Sequence, residues 1–314
     1  MAEKKKHGCL SVIGGLAIVF VLIGIITSSG NNKKSDDSKN DGKVNTTQTE
    51  RSDNGQTNKD KASTDETLKE NVNEVVFDNG EVKITYTGYE AEALFKSATL
   101  NFLIENNSSK NIRVSNFSLN INGYTVDTWF YEEVPAGKKS NASMSLYTTE
   151  LENNGIDTLG VVELSFQGKD ADEYDELFTT DPIEIVFDES AVQEENLDNY
   201  QLVFEGSDVS VYYKGIEDGG FITDSKFKFL VVNNSNKTVT ISADNMSVND
   251  FAMTDLFHAE CAPNKKTNEY ISVYKSDLEK NNITKIEKFE FSLKCRNENY
   301  DTLWETDPIT IDIK

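Results

Sequence analysis

Histidine and cysteine are scarce in this sequence, with two histidines and three cysteines among 314 residues. His7 lies in the first ten residues, which leaves His258 as the one histidine beyond residue 72. Nucleophilic catalysis needs a base beside a serine or cysteine, and zinc sites need clustered His and Cys ligands. HExxH and CxxC spacings are absent. We therefore expect a protein that is not an enzyme, with no catalytic residues, no metal site and no cofactor.

The cysteines Cys9, Cys261 and Cys295 are too few for a disulfide framework. Cys261 and Cys295 continue the apolar alternation of their segments, so both side chains are predicted to point inward. An exported protein permits a disulfide. The two residues therefore form either one Cys261–Cys295 bond or two buried free thiols.

Basic residues are also in the minority: 31 Lys and Arg stand against 54 Asp and Glu, for a net charge of −23. The whole of this acidic excess lies in residues 73–314. Such a surface repels nucleic acid and anionic lipid, so we predict no nucleic-acid partner. The acidic runs at 170–176 and 205–208 do not follow the ligand spacing of an EF-hand, and a solvated acidic surface is the simpler interpretation.

One long apolar run occupies residues 9–29. It carries no charge from Cys9 to Ile26, and at about 1.5 Å per residue it can cross a hydrocarbon core of about 30 Å. A lysine run at 4–6 precedes it, which predicts a single-pass anchor with residues 1–8 as a cytoplasmic tail and the remaining chain outside the cell membrane. The alternative is a secretory signal peptide cleaved near residues 27–30, although this run is longer than most signal sequences.

Residues 30–72 contain almost no large apolar side chains. Asn, Lys, Ser, Asp and Thr predominate, so the segment cannot bury enough surface to offset the entropy of ordering. We predict a disordered linker with a coil reach of about 35 Å.

The remaining sequence is a tandem repeat. A shift of 127 residues aligns NNSSK at 106–110 with NNSNK at 233–237. After one deletion, a shift of 126 aligns the tripeptide Thr-Asp-Pro at 180–182 with the same tripeptide at 306–308. The repeat predicts two domains of one fold, at residues 73–190 and 198–314.

Apolar residues alternate with polar ones inside each copy, as in the run Phe117, Leu119, Ile121. A period of two indicates strands with one buried and one solvated face, which is typical of antiparallel sheets. About seven short strands per copy predict an all-β fold, with two tandem Ig-like β-sandwiches. Capping-box patterns that begin at Thr149 and Ser276 predict one short crossover helix in each sandwich.

Five segments of this sequence resemble a known group of domains. They are NNSSKNIRVSNFSLNINGY, NNSNKTVTISADNMSVNDF, the PAGKKSN turn, the helix-to-strand segment LENNGIDTL and the final TDPI motif. The known domains are the Ig-like extracellular domains of uncharacterised Gram-positive membrane-anchored surface proteins, of the immunoprotective-extracellular-protein type. The resemblance covers both repeats. It implies the fold and a surface location, and it implies no functional residues.

The aromatic cluster at 129–131 is the main candidate for ligand contact. Its counterpart in the second copy is Leu-Phe-His at 256–258, so at least one residue of each cluster is expected in the core. The candidate ligand-contact residues are Trp129, Tyr131 and His258. Core packing is the competing role for Trp129.

These observations predict a non-enzymatic extracellular module that binds a protein or cell-wall ligand, with two copies that can raise avidity. The alternative is an extracellular sensory or accessory subunit of a membrane transporter or signalling complex, because residues 1–8 are too short to fold and transmit a signal alone. A surface enzyme is a third hypothesis, and it depends on His258 as a base. The sequence specifies no oligomeric state.

Overall fold

The computed structural model describes residues 67–92, 97–192, 194–217, 219, 224–254 and 256–313. They form two β-sandwiches, which confirms the predicted all-β architecture. The predicted tail at 1–8, the anchor at 9–29 and the linker up to residue 66 lie outside the described residues. Within the described ranges, no helix is long and apolar enough to cross a membrane.

The first domain contains strands β1 to β10 and one helix, α1. Their bounds are β1 Thr67–Asp78, β2 Val82–Glu92, β3 Ser97–Asn106, β4 Ile112–Ile121, β5 Tyr124–Thr125, β6 Tyr131–Val134, β7 Lys139–Leu146, α1 Thr148–Asn153, β8 Val161–Asp170, β9 Glu176–Thr179 and β10 Ile183–Val186. One sheet has the order β1-β2-β3-β7. The facing sheet places β4 between β8 on one side and the short strands β5 and β6 on the other, while β9 and β10 pair with the outer side of β8.

The second domain repeats this topology. Its elements are β11 Gln201–Gly206, β12 Val209–Glu217, β13 Ser225–Asn233, β14 Val239–Val248, β15 Phe251–Ala252, β16 His258–Cys261, β17 Lys265–Val273, α2 Lys275–Lys280, β18 Lys288–Asn297, β19 Thr302–Glu305 and β20 Ile309–Asp312. One sheet has the order β11-β12-β13-β17, and β14 lies between β18 and the short strands β15 and β16 in the other.

The same buried polar side chains brace both copies. The amide of Asn106 donates to the carbonyl oxygens of Lys110 and Val134, at 2.8 and 2.9 Å. Its counterpart Asn233 donates to the equivalent carbonyls of Lys237 and Cys261 at the same two distances. Because unpaired buried amides are costly, these asparagines fix the turn after the third strand of each domain to the strand beside it.

The inward face of each sandwich is filled with aromatic and branched side chains. Phe102 and Phe166 meet edge to face in the first core, with ring centroids 5.2 Å apart. Phe229 and Phe291 do the same in the second core, at 5.3 Å. The central residue of each aromatic cluster, Phe130 or Phe257, joins these rings, which confirms that one cluster residue per copy is core.

Three local predictions were wrong. Phe117 was placed inward by alternation, but a bulge in β4 between residues 116 and 118 turns its ring outward. Both predicted helices form, but the N-cap residues are Tyr147 and Tyr274, and neither helix has a side-chain cap, so the capping boxes are not used. In addition, β1 begins at Thr67, inside the segment predicted as linker.

The two domains are joined through a sheet edge. β5 of the first domain pairs in parallel with β17 of the second. The sheet that contains β4 and β8 therefore continues into the sheet that contains β13 and β12. The backbone N–H of Lys266 donates to the carbonyl of Gly123 at 3.0 Å. We call this contact the domain junction.

Buried hydrogen bonds surround the domain junction. The hydroxyl of Thr125 accepts from the backbone N–H of Ala262 at 2.9 Å, and Asn154 at the end of α1 accepts from the backbone N–H of Asn268 at 2.9 Å. An ion pair between Lys265 and Glu163 flanks them. Since Asn154 and Asn268 are each more than nine-tenths buried, the two domains have a dry, directional contact.

Replacing Asn154 with Ala should therefore destabilise the protein by about 1–3 kcal/mol, because the backbone N–H of Asn268 loses its buried acceptor. The measurement is the urea dependence of unfolding. Asn281→Ala is the matched control, since Asn281 holds the same place at the end of α2 and makes the same bond within its helix. Equal destabilisation by both substitutions would contradict a stabilising role for the junction bond.

Candidate functional site

Trp129 and Tyr131 lie on the outer surface of the first domain, where their rings are 74% and 46% exposed. They flank the buried Phe130, so the alternation of an extended chain turns both outward. Asn116 of β4 fixes this segment, because its side chain accepts from the backbone N–H of Phe130 at 3.0 Å and donates to the carbonyl of Thr128 at 3.3 Å. Core packing is therefore not the role of Trp129.

Phe117 extends this surface. Tyr131 pairs with Ser115 at the end of the β4–β6 ladder, and Phe117 follows two residues later on β4. The β4 bulge exposes 60% of the Phe117 side chain. Phe117 and Trp129 are therefore both exposed beside the end of the β4–β6 ladder.

An arginine and a second tyrosine complete the surface. The Arg113 guanidinium lies 4.5 Å from the centroid of the Tyr174 ring, and its Nε lies 3.4 Å from Glu133. Glu133 also accepts a hydrogen bond from the Tyr131 hydroxyl at 3.2 Å. These contacts link the two tyrosines through Glu133 and Arg113. We call Phe117, Trp129, Tyr131, Tyr174 and Arg113 the aromatic face.

A tight corner after β8 presents Tyr174. The Asp170 carboxylate accepts backbone N–H groups from Asp172 and Glu173 at 2.9 and 3.1 Å, and it lies 2.7 Å from the Lys110 ammonium. The hydrogen bond from Lys110, with the two backbone donors, lowers the pKa of Asp170 to about 2. The ionised Asp170 carboxylate stabilises this corner, in which Tyr174 has a positive φ of 65° and an exposed ring.

The second domain does not reproduce the aromatic face. Asp244 replaces Phe117, Leu256 replaces Trp129, Thr240 replaces Arg113, and His258 replaces Tyr131. His258 is exposed on β16. The structure thus brings Trp129 and Tyr131 together on one domain and places His258 at the matching position of the other.

Sequence reasoning missed Phe117, Arg113 and Tyr174 as members of this surface. A signal for Phe117 was available, because the repeat aligns it with Asp244, and a core position does not accept an unpaired aspartate. Arg113 and Tyr174 lie far apart in the sequence. Only the fold of β4 against β8 brings them into contact.

A cavity lies beside the domain junction. This cavity of about 210 Å³ is lined by Asn122, Tyr124, Ile156, Asp157, Thr158 and Glu195. The Glu195 carboxylate accepts hydrogen bonds from Tyr124, from Tyr200 at 2.6 Å and from Lys214 at 3.1 Å.

Burial alone would raise the pKa of Glu195, but the three donors outweigh burial and lower it. The carboxylate is therefore ionised and fully engaged. Tyr124 belongs to the first domain, Lys214 belongs to the second, and Glu195 lies in the segment between them. We interpret this cluster as part of the domain junction rather than as a ligand site.

Cys261 and Cys295 are free, buried thiols, which is the second of the two alternatives considered above. They lie on β16 and β18, on opposite sides of β14, opposite Val239 and Ile241. Two interstrand spacings separate their backbones by about 10 Å, beyond the roughly 7 Å that a disulfide can bridge. Burial raises the pKa of Cys261 to about 12 and that of Cys295 to about 11, so both are unreactive at neutral pH. Within the described residues, no group of three or more His, Cys, Asp or Glu side chains is placed to hold a metal ion.

The two thiols should stay unmodified by a thiol-alkylating reagent in the folded protein and should both react once the chain is unfolded without reductant. Intact mass before and after denaturation measures this, in a Cys9→Ser background so that only the two buried positions count. A chain that remains unlabelled after unfolding, until a reductant is added, would instead show a disulfide.

Asp170 makes the corner that carries Tyr174 sensitive to acid. Its pKa is lowered on folding, so its contribution to stability is complete above pH 4 and is lost as the pH falls towards 2. In Asp170→Asn the stability of the first domain should fall less between pH 6 and pH 2.5 than in the native chain. The substitution copies Asn297, whose side-chain oxygen accepts the backbone N–H groups of Asn299 and Asp301 in the corresponding corner of the second domain.

Urea unfolding at both pH values checks this expectation. Asp172→Asn is the control, since Asp172 is an exposed carboxylate in the same corner. The same pH dependence in the two variants would show that Asp170 is not the acid-sensitive group.

No protein-family model matches this chain, and a search of curated proteins also finds no match. Among solved structures, the chain is similar to the Salmonella enterica SafA pilin in complex with the SafB chaperone, at 12% identity and a TM-score of 0.22, over 68% of this chain and 89% of that one. It is also similar to a conserved domain protein from Bacillus anthracis, at 8% identity and a TM-score of 0.25, over 79% and 92% of the two chains. A third likeness is to the Amycolatopsis orientalis exo-chitosanase CsxA, at 13% identity and a TM-score of 0.22, over 75% of this chain and 27% of that enzyme. Likenesses this distant carry no argument about function.

Proposed function

We propose that this chain is a non-enzymatic, membrane-anchored module that binds a protein partner outside the cell through the aromatic face of its first domain. The observation that carries the proposal is the exposure of Phe117, Trp129, Tyr131 and Tyr174 on one surface. Isolated exposed apolar residues are common, but a contiguous group of large rings is typical of an interaction site.

The composition of the aromatic face suits protein recognition. Trp, Tyr and Arg are the residues most enriched at binding hot spots, because they offer a large contact area and lose little side-chain entropy. Arg113 is already held by Glu133 and by the Tyr174 ring, so less of its freedom remains to be lost on binding.

The shape of the aromatic face also favours a protein over a small molecule. Its members lie along the open outer surface of β4 and β6, whereas small-molecule sites are usually concave. Glu133, the acidic group beside it, is engaged by both Tyr131 and Arg113. Such an arrangement orients side chains and supplies no free base for catalysis.

The N-terminal sequence supplies the setting of this proposal. The apolar run at 9–29 anchors the chain with the domains outside, and the polar residues 30–66 let them stand away from the membrane. The net charge of −23 disfavours adhesion to anionic lipid, so the module faces a partner rather than the bilayer.

A photoreactive phenylalanine analogue in place of Tyr131 tests the proposal on intact cells that express the full chain. Illumination should yield a covalent adduct that is digested by protease and unaffected by glycan-cleaving enzymes. Trp129→Ala in the same chain should reduce the adduct at least tenfold, because truncation of a central hot-spot residue costs about 2 kcal/mol or more.

The same analogue at His258 is the matched control, since His258 has the equivalent position in the domain that lacks the aromatic face. Equal adducts from both positions, or none from either, would contradict the proposal. An adduct that resists protease and is released by glycan cleavage would identify the wall as the ligand and replace the protein partner.

A further inference from the structure

The domain junction uses one sheet edge from each domain, and the repeat leaves the matching edge of each domain open. Tyr124 and Thr125 of β5 are buried by the second domain, with exposures of 7% and 9%. Their counterparts Phe251 and Ala252 of β15 are exposed, and Phe251 is 44% exposed. We call residues 250–253 with Asn281 the free β15 edge.

The complementary edge is open on the first domain. Asn268 of β17 is buried at the domain junction, whereas its counterpart Asn141 of β7 is exposed. Lys139 of β7 occupies the position in the β3 ladder that Lys266 of β17 occupies in the β13 ladder. The backbone N–H of Lys139 therefore also points away from the neighbouring strand, towards the open edge. We call residues 135–141 the free β7 edge.

Three of the contacts that form the domain junction have their groups retained on these two free edges. Lys266 N–H and the Gly123 carbonyl become Lys139 N–H and the Asp250 carbonyl. Asn268 and Asn154 become Asn141 and Asn281. The ion pair of Lys265 with Glu163 becomes Lys138 with Glu290.

Asn281 is already set in the geometry of Asn154. The amide nitrogen of Asn154 donates to the Glu150 carbonyl, and that of Asn281 donates to the Asp277 carbonyl, at 3.0 and 2.8 Å. This bond within the helix turns each side-chain oxygen away from the helix. For Asn154 that oxygen accepts the backbone N–H of Asn268.

The Glu195 cluster of the domain junction has no counterpart on the free edges, because Phe251 replaces Tyr124 without its hydroxyl and Thr87 replaces Lys214.

A second junction contact is lost on both of its sides together. The Thr125 hydroxyl accepts from the backbone N–H of Ala262. On the free edges, Ala252 lacks the hydroxyl and Pro135 lacks the N–H. The joint loss therefore leaves neither residue with a group whose junction partner is missing.

We infer that the free β15 edge of one chain binds the free β7 edge of a second copy of this chain, in the arrangement that the domain junction shows within one chain. The contact is heterologous, because the two edges differ, and each chain retains one edge of each kind for further copies. Phe251 is the apolar centre of the contact, at the position where Tyr124 is buried. Ser140, which donates to Glu132 here, exchanges that partner for the Ala252 carbonyl, as Thr267 donates to the Thr125 carbonyl.

Disulfide trapping between two singly substituted chains tests the inference. Full-length chains with Cys9→Ser are kept in a mild detergent on account of the apolar residues 9–29, and one population carries Asn141→Cys while the other carries Asn281→Cys. Mild oxidation of the mixture should give a covalent dimer at least tenfold more abundant than in either population alone. Cys261 and Cys295 are buried and do not compete.

Two controls separate this contact from other associations. Thr310→Cys replaces Asn281→Cys as an exposed thiol on β20, away from the free β15 edge, and should trap little dimer. Phe251→Asp in the Asn281→Cys chain should reduce trapping at least fivefold, whereas Leu256→Asp, at an exposed residue outside the edge, should leave it unchanged.

Trapping in the Asn281→Cys population alone would reveal a symmetric contact and would overturn the inference. Absence of a mixed dimer, or equal trapping through Thr310→Cys, would overturn it as well. None of these outcomes bears on the aromatic face, whose residues are unchanged in every chain.

Discussion

A β-sheet edge exposes backbone N–H and C=O groups that must be paired or solvated, and this constraint governs how the two domains are arranged. β5 has only two residues, and β17 covers it by extending the same hydrogen-bonded sheet. The Thr125 side chain of β5 and the Asn154 side chain at the end of α1 then bond to backbone groups of the second domain. Because these hydrogen bonds are directional and buried, they fix the orientation of one domain relative to the other.

Duplication followed by divergence has given the two domains different surfaces on a common frame. The frame is retained where burial demands it, as at Asn106 and Asn233, whose bonds are the same. The outer face of β4 and β6 has diverged freely, because substitution there leaves the core unchanged. The first domain presents Phe117, Trp129 and Tyr131 there, while the second presents Leu256 and an exposed histidine.

The repeat and its period-two pattern predict the fold because both depend on burial, which every strand of both copies shares. The inward orientation predicted for Phe117 was wrong, because a bulge shifts the alternation of β4 by one residue and no pattern in the neighbouring sequence indicates that bulge. Cys261 and Cys295 were correctly placed inward by alternation, but the interposed β14 that keeps them apart follows from strand order. The domain junction could not be predicted at all. Its backbone contacts join residues more than a hundred positions apart. The two copies also have similar sequences, although only one sheet edge of each is used.

The acidic surface opposes the proposed contact between copies of the chain, and the free edges favour it. Each chain carries a net charge of −23, so two chains in solution repel over the Debye length of about 8 Å at physiological ionic strength. The bonds at an open edge act at contact distance, where Lys138 faces Glu290 and the backbone groups are desolvated. Confinement of many chains to one membrane, as the proposed anchor implies, would raise their local concentration and favour the contact beyond the level that free chains reach in solution. On this proposal the acidic surface opposes unspecific aggregation of the open edges, while their matched hydrogen-bonding groups still permit the specific contact.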